Sequence, residues 1–293
     1  HWMVHSFPTR RSSDLMLKFV EPIIVDCPNI LDTCGTGGDR KGTFNISTIS
    51  AFVASGAGVC VAKHGNRSLS SKCGSADILE ALGVDIDMGR ENIKRCLKEI
   101  GIAFLFAPSL HPAMKNVMPA RKAITGKTMF NILGPLINPA RATNQLVGVY
   151  SRKWTGILAR VLHNLGTRHV MVVNGNDGLD EVTTTDVTFI CEFRNNENRE
   201  YEIAPEDFGF QRASLNDLCV GDMKENISAA LGVLNGIAGP KRDIVLLNSG
   251  CAIYAADRAC SIEQGIRLAE ESIDSKAALN KLEMLKEYSK NEK

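Results

Sequence analysis

Three stretches of this sequence carry groups that could do chemistry, and two of them suit phosphate. The first, "LDTCGTGGDRKGTFNIST" at residues 31–48, places four glycines, five hydroxyl side chains and two aspartates in eighteen positions. Glycine loses more backbone freedom on folding than any other residue, so such a cluster needs a reason, and close approach of an anion is a common one. Gly35, Gly37 and Gly38 let backbone N–H groups turn toward one point, and Asp39 stands where it can accept from ribose hydroxyls or bound water. Asn45, Ser47 and Thr48 fall at the start of the next helical pattern. Unpaired N–H groups and the positive end of the macrodipole favour an anion there. The same residues also fit a tight turn followed by a Ser/Thr cap. The Walker pattern G-x-x-x-x-G-K-[ST] does not occur.

The second stretch, "KHGNRSLSSKCGSAD" at 63–77, offers Lys63 and Arg67 to neutralise phosphate charge, with serine hydroxyls and backbone donors to orient it. A solvated basic loop is the alternative. The third, "NGNDGLDE" at 174–181, ends in the adjacent carboxylates of Asp180 and Glu181, hard oxygen donors suited to magnesium. Adjacent acids are often only solvated surface. Beside two phosphate loops they gain meaning, because magnesium binds together with substrate phosphates.

Each stretch follows an apolar run that reads as a strand. "NILDTCG" leads into the first glycine loop, and "NISTISAFVASGAG" after it has Ile46, Ile49, Phe52 and Val53 at helical spacing. "VCVAKHG" is a second strand, and "SKCGSADILEALG" a helix closed by Gly83. "ENIKRCLKEIG" is an amphipathic helix before the strand "IAFLFAP", and "HPAMKNVMPARKAI" reads as a helix interrupted at Pro119. Further strands are expected at "NQLVGVYS", "HVMVVNG", "VTFICEF" and "DIVLLNSG", with helices near 154–165, 222–237, 261–272 and 275–289. This alternation predicts an α/β fold with a mainly parallel central sheet flanked by helices. In such a sheet the loops at the carboxyl ends of the strands meet at one rim, where ligands bind.

Composition narrows the class. The chain has 293 residues, 44% hydrophobic and 23% charged, with a formal charge of +1. That balance argues against a dedicated nucleic-acid or membrane surface, and no apolar run approaches the roughly 18–20 residues of a membrane span. Nine cysteines without C-x-x-C spacing argue against a disulfide framework or a zinc ribbon and for a reducing cytoplasm.

The motifs "DTCGTGGDRKGTFNIST", "AKHGNRSLSSKCGSADILEALGV", "HPAMKNVMPARK", "FNILGPLINPA" and "DGLDE" together resemble the anthranilate phosphoribosyltransferases, in the family's order and approximate spacing, from about residue 17 to 285. The resemblance implies a nucleoside phosphorylase/phosphoribosyltransferase-like fold with a small helical domain. It also implies transfer of the phosphoribosyl group from phosphoribosyl pyrophosphate to the amine of anthranilate, with release of pyrophosphate, in tryptophan biosynthesis. By resemblance, phosphoribosyl pyrophosphate would be held by Gly35, Gly38, Asp39, Thr43, Asn45, Ile46, Ser47 and Thr48, by the loop Lys63, His64, Gly65, Asn66, Arg67, Ser68, Leu69, Ser70 and Ser71, and by Ser75. Gly35, His64, Asn66 and Arg121 would take anthranilate, and Ser47, Asp180 and Glu181 would ligate Mg2+. Lys63, Asp180 and Glu181 would carry the catalysis. The family further implies a cytoplasmic homodimer for the intact protein, with neither nucleic acid nor membrane as partner.

The first fifteen residues, "HWMVHSFPTRRSSDL", do not read like the rest, and "HSFPTRRSSDL" matches the in-frame translation of a short-read sequencing adapter. Natural sequence is therefore expected to begin near Met16, with 16–26 a remnant of the helical domain and hinge, 27–293 the catalytic domain, and 110–122 packing in the helical domain. On that reading the chain exposes apolar surface, is monomeric or aggregating, and turns over poorly. Two alternatives stand beside it: a pyrimidine nucleoside phosphorylase-like enzyme, and a catalytically silent relative that binds nucleic acid. Arg121 supplies the sharpest test. A planar fork binding both oxygens of a carboxylate contributes about 1.5–3 kcal/mol, so Arg121→Ala is expected to raise the anthranilate KM roughly tenfold or more, with a smaller change for the diphosphate substrate, in a steady-state assay.

Overall fold

The apolar runs before the glycine-rich stretches become strands of one sheet. Ile30–Gly35 (β1), Cys60–Gly65 (β2), Ile102–Phe106 (β3), Asn144–Gly148 (β4) and His169–Gly175 (β5) run parallel. Thr188–Arg194 (β6) and Glu197–Ile203 (β7) extend it antiparallel, giving the order β3-β2-β1-β4-β5-β6-β7. The chain moves outward from β1 to β3, then crosses to the other side of β1 for β4. The β1–β4 boundary is therefore a topological switch point, where connections diverge and leave a crevice at the carboxyl ends. This is the expected α/β fold with a mainly parallel sheet. The computed structural model describes residues 20–68, 73–111 and 130–290. The adapter-like segment 1–15, residues 16–19, the Pro119 helical pattern with most of 110–122, and the predicted site residues Leu69, Ser70, Ser71 and Arg121 lie outside them.

Helices cover both faces: Ile46–Gly56 (α1), Ser75–Ala81 (α2), Arg90–Glu99 (α3), Thr155–Asn164 (α4), Met223–Leu234 (α5), Pro240–Ala255 (α6), Ile262–Asp274 (α7) and Ala277–Tyr288 (α8). β5 shows how the sheet is sandwiched. Val170 and Val172 pack with Leu158 and Leu162 of α4, whereas Met171 and Val173 join the larger core containing Phe52 of α1 and Leu246 of α6. Successive side chains of a strand point to opposite faces, so an unbroken apolar run is what a doubly covered strand needs. None of the nine cysteines forms a disulfide. Among the described residues no helix is long and apolar enough to cross a membrane.

Two elements depart from the sequence reading. "DIVLLNSG" is not a strand but the middle of α6, a sixteen-residue helix that opens on Pro240 with Asp243 in its first turn. Proline is pre-organised for a first helical position, and an acid there suits the macrodipole. The helix packs against α1, α7 and β4 and is buried from Ile244 to Ile253, so it has no polar stripe to announce its period. β7, "ENREYEI", carries no strand signal because it is an exposed, charged edge strand. It is folded back onto β6 by Asn195 and Asn196, both at positive φ (51° and 64°), the conformation that a two-residue hairpin with the strands' own twist requires.

One buried side chain of α6 bears on the site. Asn248 donates to Val182 O at 2.7 Å and to Ile244 O at 2.8 Å, and its Oδ1 accepts from Val182 N–H at 2.9 Å. It thus grips the backbone immediately after Asp180 and Glu181. Asn248→Leu leaves both groups of Val182 buried without partners, and is expected to lower unfolding free energy by about 1–3 kcal/mol in a denaturant titration.

Candidate active site

At the carboxyl ends of β1 and β4 two glycines stand in register, Gly35 opposite Gly148. The turn carrying Asp180 is seated on both. A Cβ on Gly35 would lie 2.6 Å from Asp180 Oδ2, and one on Gly148 would overlap the Asp180 carbonyl. The acidic turn reaches the glycine loop only because neither strand carries a side chain there. Gly37 N–H donates to Asp180 Oδ2 at 2.7 Å, and Thr36 N–H to Gly148 O at 2.8 Å. The turn is shaped from within by Asp177, which accepts from Leu179 N–H at 3.0 Å and from the hydroxyls of Thr183 and Thr185.

The start of α1 comes to the same place. The Ser47 N–H faces the Glu181 carboxylate, and Lys63 Nζ donates to Ser47 Oγ at 3.2 Å and to Thr33 O at 2.6 Å. Lys63 is thus buried beneath the loops rather than reaching out from the rim. The loop before α1 is fastened from the far side. Thr43 forms a bridge with Cys219, Val220 N–H donates to Gly42 O, and Asn45 exchanges hydrogen bonds with Asn226 of α5 at 2.8 and 3.2 Å. Ile46 and Thr48 are buried in the core.

The 63–77 stretch is fixed by its own carboxylates. Asp77 Oδ2 accepts from Ser68 N–H at 3.1 Å and Gly74 N–H at 2.8 Å, drawing the two ends together. Arg67 forks onto Glu80 at 2.8 and 2.9 Å and reaches Asp77 at 3.0 Å. Its guanidinium, which the sequence offers as a phosphate partner, is committed to α2 here. Ser75 Oγ donates to Asn66 O at 3.3 Å across the base of the loop.

Histidine forms a pair the sequence does not disclose. His64 Nδ1 lies 3.2 Å from Gly134 O, and its Nε2 lies 3.0 Å from Nε2 of His111. A carbonyl only accepts, so His64 carries its proton on Nδ1, and His111 donates from Nε2. Burial, with the neighbouring His111 adding to it, pushes His64 down to about 3. Burial and then Arg90 push His111 down to about 4. Both rings are neutral.

The acids behave oppositely. Burial first, then Asp39 and Glu181, pushes Asp180 well above the carboxylate range. Burial pushes Glu181 up to about 8, with Asp39 adding to it and Lys63 and the Ser47 N–H opposing. Burial lowers Lys63 despite Asp32, Cys34 and Glu181. Several buried carboxylates share one buried ammonium, a donor set short of positive charge. Hard oxygens from Asp180, Glu181 and Ser47 fit a magnesium ion in chemistry. Among the described residues no three His, Cys, Asp or Glu side chains form a metal cage by themselves.

Comparison with known proteins shows the family and the fold. Residues 27–279 match the glycosyl transferase family, a/b domain. The chain is 52% identical over 266 residues to an anthranilate phosphoribosyltransferase of Nitrosomonas europaea, covering 91% of this chain and 78% of that one. The chain belongs to the anthranilate phosphoribosyltransferase family. The solved family member from Thermus thermophilus superposes with a TM-score of 0.91 at 40% identity, covering 96% of this chain and 84% of that one. The Saccharomyces cerevisiae enzyme in complex with PRPP and Mg gives 0.86 at 29% identity, covering 96% and 79%.

Within the candidate site of this anthranilate phosphoribosyltransferase-family chain the charge shortage has a measurable sign. Glu181 binds its proton more tightly folded than unfolded, so between about pH 4.5 and 8 the folded chain holds the extra proton and stability falls as pH rises. In metal-free buffer, Glu181→Gln is expected to raise the unfolding temperature progressively from pH 5 to pH 8. An equal change at both pH values in a thermal melt would contradict the assignment.

Proposed function

We propose that this chain transfers the phosphoribosyl group of phosphoribosyl pyrophosphate to the amine of anthranilate, releasing pyrophosphate. The observation that carries the reading is the seating of the Asp180–Glu181 turn on Gly35 and Gly148, which brings the acids, the glycine loop and the start of α1 to one rim. The names of the family's members and the PRPP and Mg complex of the yeast relative support it.

Departure of pyrophosphate leaves positive charge on the ribose and negative charge on the leaving group, so catalysis is largely electrostatic and positional. The Gly38 N–H and the positive end of α1 would receive the diphosphate, and Lys63 beneath them adds positive charge while orienting the Ser47 hydroxyl. Ser47, Asp180 and Glu181 would hold Mg2+, which when bound supplies neutralisation of the leaving pyrophosphate. Asp39, beside Asp180, would accept from ribose hydroxyls or bound water. The neutral His64–His111 pair gives the acceptor pocket no fixed charge to draw the amine lone pair, which is nucleophilic only when free. Gly35, Asn66 and Arg121 would complete that pocket, Arg121 pairing with the carboxylate of anthranilate.

The test follows loss of anthranilate fluorescence on adding phosphoribosyl pyrophosphate and Mg2+ to the full chain. Time-dependent loss that stops on chelation is expected, and Asp180→Asn with Glu181→Gln is expected to reduce turnover by at least about a hundredfold, the scale of removing a leaving-group stabiliser. No loss with intact, folded protein would overturn the reading.

A further inference from the structure

Hydrogen-bonded pairing between β1 and β2 ends at Leu31 and Val61. Each strand nevertheless continues against its other neighbour, β1 along β4 to Gly35 and β2 along β3 to Gly65. The two strands that feed the candidate phosphate loops therefore part over residues 32–35 and 62–65. Regular parallel pairing would bond their backbone groups to each other, but here side chains take that place. Asp32 Oδ1 accepts from His64 N–H at 3.0 Å, and Asn138 Nδ2 donates to Asp32 Oδ2 at 2.8 Å and to Ala62 O at 2.9 Å. Lys63 Nζ spans the gap to Thr33 O at 2.6 Å. Asn138 is itself held, its Oδ1 accepting from Ala140 N–H at 2.8 Å.

Asp32 is fully buried, and Lys63 and Asn138 nearly so. A buried carboxylate between strands of an α/β core destabilises unless every lone pair is engaged, and an apolar residue would pack there without that cost. An apolar residue would also let the ladder close. Paired strands stand about 4.7–4.9 Å apart, which leaves no room for a phosphate between their ends.

We propose that Asp32, clamped by Asn138, is a positioning residue that wedges the carboxyl ends of β1 and β2 apart, so that a diphosphate fits between the 35–48 and 63–68 loops. This rests on the reading of the site given under the proposed function. Asp32 acts through the backbone of His64 and through Lys63, whose other contact is Ser47 Oγ. Neither oxygen of its carboxylate is left to meet substrate, since one is taken by His64 N–H and the other by Asn138.

The experiment uses the full chain and two measurements: steady-state KM for each substrate, and calorimetric titration with inorganic pyrophosphate and Mg2+, which needs no acceptor. Asp32→Asn sets two amide donors against each other and removes the charge facing Lys63. It is expected to weaken pyrophosphate binding and raise the phosphoribosyl pyrophosphate KM about tenfold or more, the scale of a lost charge-assisted bond, with a smaller change for anthranilate. The reciprocal variant Asp32→Asn with Asn138→Asp restores a carboxylate–amide bond across the gap and is expected to recover part of that affinity, which simple loss of packing would not do. If Asp32→Asn fails to fold, Asn138→Ala carries the test and is expected to weaken pyrophosphate binding in the same direction. Folded variants that bind pyrophosphate like the wild type, or a reciprocal variant no better than the single one, overturn the wedge. A wild-type chain that binds pyrophosphate without consuming anthranilate overturns the functional reading and leaves the wedge to the titration. One that binds neither overturns both.

Discussion

Steric exclusion at Gly35 and Gly148 is the constraint on which the rest of the site depends. The two residues face each other across adjacent strands, and the space that their missing side chains leave is filled by the backbone and carboxylate of the 180–181 turn. A single methyl group on either strand would lift that turn off the sheet. With it would go the Gly37 N–H bond to Asp180 and the approach of Glu181 to the start of α1. The topological switch makes this possible, because only at the β1–β4 boundary do the crossovers diverge and leave the strand ends open.

Seating acids in that slot sets the electrostatics of the rim. Burial and mutual repulsion favour the protonated forms of Asp180 and Glu181, and the single lysine below is itself destabilised by burial. The folded chain is thus held against a local excess of negative charge, and a cation that joins the carboxylates to a diphosphate relieves it. Sites that carry function commonly hold unfavourable interactions of this kind, offset by packing elsewhere. Here the offset lies in α1 and α6, whose apolar residues are buried on nearly every side and whose Asn248 secures the turn.

Several polar side chains in the phosphate motifs serve the scaffold. Asn45 is paired with Asn226, Asp77 ties Ser68 to Gly74, and Arg67 is forked onto Glu80. Many of their backbone N–H groups are spent in the same way, on Asp180, Asn226, Asp32 and Asp77, which leaves the Gly38 N–H, the Ser47 hydroxyl and the positive end of α1 to a ligand. Such fixed donors suit a leaving group that gains charge as its bond breaks, since they need no reorganisation at that moment.

The sequence by itself determined the strand–loop–helix units, the mainly parallel sheet and the three loops that matter, because these follow from local apolar runs, helical spacing and glycine. It could not show that "DIVLLNSG" is helical, since a segment buried all round has no periodic polar face, nor that "ENREYEI" is a strand, since its partner rather than its composition makes it one. The roles of Asp32, Asn138, His111 and Asn248 were invisible for the same reason: their hydrogen-bond partners lie as far as 106 residues away along the chain. Only the tertiary structure decides which polar groups are spent on each other and which are left for a ligand, because burial and partnership are set by what the fold brings together.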